Sequence, residues 1–121
     1  METVRYIVSD VDAAIEFYTK QLGFELEERP APVFAMVAKR DLRLWISGPG
    51  TSATRPMPDG RAPEPGGWNR IVVKVDDLAS LVESMRANGV IFRNEIVTGP
   101  GGKQILAEDG VGNVVELFQA A

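Results

Sequence analysis

The chain contains no histidine and no cysteine among its 121 residues. Without cysteine there is no disulfide, no thiolate nucleophile, no cysteine zinc site and no iron–sulfur centre. Without histidine the commonest general base near neutral pH is missing, and neither Ser-His-Asp catalysis nor a histidine metal site can be assembled. Only hard, oxygen-liganded ions such as magnesium or calcium remain conceivable. Basic side chains number 13 against 17 acidic ones, for a net charge of −4. Scattered as they are, they make no basic face for nucleic acid or an anionic membrane. No apolar run approaches the roughly 18 residues that suggest a membrane span. The opening METVRYIVSD lacks the basic segment and apolar core of a signal peptide. These absences predict a cytoplasmic protein with neither a nucleic-acid nor a membrane partner.

What is present suits one soluble domain, 1–121, with 45% apolar and 25% charged side chains. A chain of this length buries roughly two thirds of its unfolded surface and needs no covalent staple. It divides at residues 48–67, GPGTSATRPMPDGRAPEPGG, which hold five of the eight prolines and five of the twelve glycines. Proline fixes φ and lacks an amide donor, so this stretch is neither a regular helix nor a central strand. Two readings stand: an inter-module linker, or a functional loop that brings Arg55, Met57, Pro58 and Arg61 over a pocket mouth.

Modules 1–47 and 68–119 carry the same order of elements. Val4, Tyr6 and Val8 alternate with Arg5, Ile7 and Ser9, as in a half-buried strand. A helix striped by Val11, Ile15, Tyr18 and Leu22 follows, capped by Asp10 or Asp12 and ended by Gly23. Extended runs are expected at Phe24–Glu28, Val33–Lys39 and Leu42–Ser47, with a tight turn at Lys39-Arg40-Asp41. In the second module Ile71, Val73 and Val75 mark a strand. Asp76-Asp77 leads into a helix striped by Leu78, Leu81, Val82 and Met85, which ends at Asn88-Gly89. Runs at Val90–Val97, Lys103–Ala107 and Val114–Gln119 complete it, with Asp109–Asn113 as a turn. Offsetting the first module by 67 residues sets Val4 on Ile71, Asp10 on Asp77 and Glu16 on Glu83, the mark of an internal duplication. The expected fold is α+β. Two tandem βαβββ modules form curved mixed sheets around a concave cleft, with the helices on the outer faces.

VRYIVSDVDAAIEFYTKQLGFEL and DGVGNVVELFQ resemble the opening and closing segments of the vicinal oxygen chelate superfamily, the glyoxalase, bleomycin-resistance and extradiol-dioxygenase group. The resemblance spans residues 1–119 and includes the duplicated order. It implies metal-ligand positions on the first and last strand of each module. Carried over residue by residue, these fall on Thr3, Leu44, Arg70 and Glu116. Leucine has no lone pair to offer, a guanidinium repels a cation, and one carboxylate with one hydroxyl falls short of a hard-ion shell. Neither a metal nor any other cofactor is expected.

Strand parity places Thr3, Arg5 and Ile7 on the concave face with Arg70, Val72 and Lys74. Trp68, Phe34 and Met36 read either as a flat apolar wall for an aromatic ligand or as ordinary core. Trp45, aligned with Leu117, is expected to face the helix. Arg70 and Glu116 read either as a structural ion pair or as groups that polarise and orient a ligand. Gly99–Gly102 is not a phosphate loop, since no Lys-Ser/Thr follows it. The candidate ligand-binding set is therefore Arg5, Phe34, Met36, Leu44, Trp68, Arg70 and Glu116, with no catalytic residue. The function expected is metal-independent binding and sequestration of a small, largely apolar or aromatic molecule, such as an antibiotic or natural product. This resembles the superfamily's antibiotic-resistance members, which act as homodimers. The alternatives are a metal-free, glyoxalase-like lyase or isomerase using Glu116 and Arg70, and a regulatory module without a ligand.

Overall fold

In a computed structural model, which describes residues 2–121, the chain is an α+β protein of two mixed, unclosed four-stranded sheets, each with its own helix. Residue 1, where the first module was expected to begin, lies outside the described residues. Two compact units result. One runs to Gly66 and includes Val111–Asn113; the other comprises Gly67–Gly110 and Val114–Ala121.

The first unit contains β1 (Glu2–Ile7), α1 (Val11–Glu16), β2 (Glu25–Ala31), β3 (Phe34–Lys39) and β4 (Leu42–Ser47), in the sheet order β1-β4-β3-β2. β1 runs parallel to β4, and the other pairs are antiparallel. Asp10 caps α1 by accepting from the Ala13 N–H at 3.1 Å. The expected stripe ending at Tyr18 and Leu22 is not one α-helix. After Glu16 the chain widens into a π-helical turn, Phe17–Gln21, in which Thr19 Oγ1 donates to the Ile15 carbonyl at 2.7 Å. The wider turn shifts the helical phase, so the adjacent Phe17 and Tyr18 are both buried. Tyr18 is the hub of this core, edge-on to Tyr6, Phe17 and Phe24 at centroid distances of 6.2, 5.1 and 5.7 Å. Each such pair adds about 0.5–1.5 kcal/mol beyond area burial. Gly23, at φ 74°, then reverses the chain so that the Phe24 N–H reaches the Tyr18 carbonyl.

The second unit contains β5 (Ile71–Lys74), α2 (Leu78–Ala87), β6 (Val97–Gly99), β7 (Gly102–Glu108) and β8 (Val114–Ala120), in the order β5-β8-β7-β6. β5 is parallel to β8, as β1 is to β4. Leu78, Val82 and Met85 of α2 are buried together with Ile71, Val73, Ile105, Ala107, Val115 and Leu117 of the sheet. Asp77 caps α2, and the Leu78 N–H is taken by Gln119 Oε1 at 2.8 Å. The run expected as a strand over Val90–Val97 is a strand only from Val97. Upstream, Asn94 Oδ1 accepts from the Leu106 N–H at 3.0 Å, replacing the main-chain carbonyl of a ladder. A single bridge from Phe92 to Ala107 is left.

The proline-rich stretch carries one short 3-10 turn, Ser52–Thr54, and no strand. Its end is anchored by Asn113, which donates to the Ile7 carbonyl at 2.7 Å and accepts from the Gly66 N–H at 3.1 Å. A cavity of about 320 Å³ beside Ile7 is walled by Pro49, Gly50, Thr54, Pro63, Glu64 and Pro65. Arg55, Met57, Pro58 and Arg61 of this stretch are exposed.

Candidate functional site

Alternation along β1, β3 and β4 divides the first sheet into a core face and an open face. Tyr6, Ala35, Val37, Leu44 and Ile46 belong to the core face, because Tyr6 meets Tyr18 of the helical segment. Arg5, Phe34, Met36, Trp45 and Ser47 therefore share the other side. This corrects two expectations. Leu44 is fully buried beneath the helix and does not reach the open face. Trp45, expected to face the helix, stands on the open face instead. The cause is register. Arg5 lies opposite Trp45 as Val72 lies opposite Glu116, so Trp45, and not Leu44, is the counterpart of Glu116.

The open face is built around Trp45. Phe34 meets its ring edge-on at 5.9 Å, Met36 is its cross-strand neighbour on β3, and the Arg5 guanidinium lies 4.9 Å above the ring centroid. Arg5 Nη1 also donates to Ser47 Oγ at 3.0 Å. Arg43, two residues before Trp45, is neutralised by Glu27 at 2.6 Å. That hydrogen bond holds the Glu27 carboxyl below its usual range and raises Arg43. Arg5 has no carboxylate partner among the described residues. Trp45 Nε1 is buried and is the one buried side-chain polar atom without a hydrogen-bond partner among them.

In the second sheet Arg70, immediately before β5, donates from Nε and Nη2 to the same Glu116 oxygen, Oε1, at 3.1 and 2.9 Å. Its Nη1 donates to the Trp68 carbonyl at 3.1 Å. Glu116 is 8% exposed, so the pair is largely shielded. Trp68 is 68% exposed, and the Arg93 guanidinium stacks 4.7 Å from its ring centroid. Arg93 is itself fixed by Glu108 Oε1 at 2.5 Å and by the Gly67 carbonyl at 3.2 Å. Trp45, Ser47, Arg93 and Glu108 lie outside the ligand-binding set expected from the sequence. Trp45 and Ser47 carried a parity signal that correct alignment of β4 would have exposed. Arg93 carried none, because its segment departs from strand geometry.

The implied metal positions are thus Thr3, Trp45, Arg70 and Glu116. They do not fit a divalent ion: an indole N–H is a donor, a guanidinium is cationic, and Glu116 is engaged by Arg70. Among the described residues no group of three or more acidic side chains could hold a metal.

The model of the Glyoxalase/Bleomycin resistance protein/Dioxygenase superfamily matches residues 1–117. The chain belongs to this superfamily. Among solved structures, a superfamily member from Sphaerobacter thermophilus DSM 20745 is 25% identical with TM-score 0.77, covering 98% of this chain and 95% of that one. TnmS3, an antibiotic binding protein from Streptomyces sp. CB03234, is 23% identical with TM-score 0.75, covering 100% and 95%. Lactoylglutathione lyase from Agrobacterium tumefaciens is 18% identical with TM-score 0.76, covering 98% and 92%. The last two likenesses show the shared fold alone, and that fold carries both binding proteins and enzymes. No curated protein sequence matches the chain.

Proposed function

We propose that the protein binds and sequesters a small, largely apolar or aromatic molecule without a metal and releases it unaltered. The observation that carries this reading is the open face of the first sheet. There Phe34, Met36 and Trp45 form an apolar wall, with the Arg5 cation stacked on the indole. A planar ligand gains from stacking on such a wall, and no histidine or thiol stands by to attack it. Similarity to TnmS3, an antibiotic binding protein, supports the same class of ligand.

The protein acts in the cytoplasm; no helix among the described residues is long and apolar enough to cross a membrane. It functions as a homodimer, with the half-exposed Val72 and Val97 of the second sheet as apolar surface for a second copy to cover. Native mass spectrometry giving a monomer alone overturns the dimer. For the ligand, planar polycyclic compounds are titrated against tryptophan fluorescence and then recovered. Quenching with the compound chemically intact is expected, and a consistently altered product overturns sequestration.

One observation favours a second reading, acid–base catalysis without a metal. Both Arg70 contacts go to Glu116 Oε1, and Oε2 makes no hydrogen bond among the described residues. Oε2 is thus available to accept a proton, while Arg70 stabilises a developing oxyanion. Turnover by a metal-stripped preparation that Glu116→Gln abolishes would establish this reading.

A further inference from the structure

We propose that the open face of the first sheet recognises an ionised oxygen on its planar ligand, an aryl carboxylate or phenolate, through the Arg5 guanidinium and the Trp45 indole N–H. This rests on the reading that this face binds a planar molecule. Three observations carry it.

The first is a charge left over. Two arginines stand on this face. Arg43 has Glu27, whereas Arg5 has only the neutral hydroxyl of Ser47 and the ring of Trp45. A guanidinium offers five N–H donors, and one of them is used in that hydrogen bond. The second is the orphaned donor of Trp45, Nε1, on the ring that Arg5 covers. Buried polar groups are nearly always paired, so a lone buried donor marks the place of a missing acceptor. The third is the contrast between the two sheets. At the position matching Trp45, the second sheet presents Glu116, an acceptor whose Oε1 is engaged by an arginine. At the matching position the first sheet presents an arginine and an indole donor in place of a carboxylate. A carboxylate or phenolate brought by the ligand completes there what Glu116 completes in the second sheet.

Arg5 is exposed and its stem is flexible. An oxygen that draws the guanidinium from above the ring accepts from it and from the in-plane indole N–H, while the aromatic part of the ligand lies against Phe34 and Met36. A cationic ligand meets a like charge at Arg5, which pairs with no carboxylate among the described residues.

The test uses three naphthalene probes of one shape and different charge, measured by equilibrium dialysis against the full chain. They are 2-naphthoate, 2-naphthylmethanol and 2-naphthylmethylammonium. Naphthoate is expected to bind about tenfold or more tighter than the alcohol, as a charge-assisted hydrogen bond implies, and the ammonium weakest. Arg5→Met is expected to erase the advantage of naphthoate, so that it and the alcohol bind with equal affinity. Trp45→Phe, which keeps an aromatic ring and removes the N–H, is expected to reduce that advantage several-fold. If naphthoate and the alcohol bind equally, or if the advantage survives Arg5→Met, the anion specificity is overturned while planar binding stands. If no probe binds, planar binding itself fails and the specificity falls with it. Circular dichroism of both exposed-face variants, matching the parent protein, confirms that a loss reflects recognition.

Discussion

Trp45 occupies in the first sheet the position that Glu116 occupies in the second, each opposite the strand that precedes its helix. One position carries an unpartnered donor beside a free cation; the other carries an acceptor locked to its own arginine. The two sheets share a backbone frame, while the chemistry of their faces differs.

The register makes Leu44 and Trp45 separable. Leu44→Ala removes a fully buried side chain and is expected to cost about 2–5 kcal/mol in urea unfolding. Trp45→Phe, on the open face, is expected to cost far less while altering ligand binding. Equal stability losses in the two variants would contradict the assignment of faces.

Arg70 and Glu116 are mostly shielded, with side chains 27% and 10% exposed. Removing one partner leaves the other charge poorly solvated, so Arg70→Ala is expected to lose about 1–3 kcal/mol, below the cost for a fully buried pair. The double change Arg70→Met with Glu116→Leu is expected to recover most of that loss, because no stranded charge remains. Chemical denaturation of the two proteins and the parent measures both effects.

Two glycines with positive φ differ in their surroundings. At Gly102, φ 147°, a Cβ would collide with the Gln119 carbonyl oxygen on the neighbouring strand; at Gly110, φ 78°, it would meet open space. Gly102→Ala is expected to destabilise by roughly 2–4 kcal/mol, since backbone strain and overpacking add. Gly110→Ala bears only the conformational cost of about 1–2 kcal/mol. Thermal unfolding of the pair isolates the clash from the strain.

Asp77 links α2 to pH. Its carboxylate accepts from the Ser80 N–H at 3.1 Å and from the Ser80 hydroxyl at 2.8 Å, which holds its pKa below the ordinary aspartate value. A depressed folded pKa means that the unfolded chain binds the proton more readily. The cap therefore contributes fully above the unfolded pKa, and its contribution is lost as pH falls through the folded one. Asp77→Asn keeps a capping oxygen but cannot titrate. The stability of the parent relative to this variant, followed by denaturation from neutral to acid pH, is expected to decline only in the acidic range. A constant difference would show that Asp77 is not involved.

Much of this protein is legible in the linear chain because its determinants are local. The absence of histidine and cysteine excludes whole chemistries regardless of folding. Period-two runs, helical stripes, Asp10 and Asp77 as caps, and Gly23 and Gly89 at positive φ depend on neighbours a few residues away. The resemblance to the superfamily sets Arg70 and Glu116 at corresponding positions, and the two side chains do meet. Tertiary structure decided what depends on partners distant in sequence. A slip of one residue in aligning β4 exchanges the faces of Leu44 and Trp45, and only the ladder to β1 fixes which is right. The π-helical turn follows from packing Phe17 and Tyr18 into one core, and the short β6 from Asn94 taking the Leu106 amide. Neither the stack of Arg93 on Trp68 nor the free charge of Arg5 beside the orphaned Trp45 donor can be read from spacing. Whether a side chain is satisfied depends on every group that folding brings within hydrogen-bonding reach.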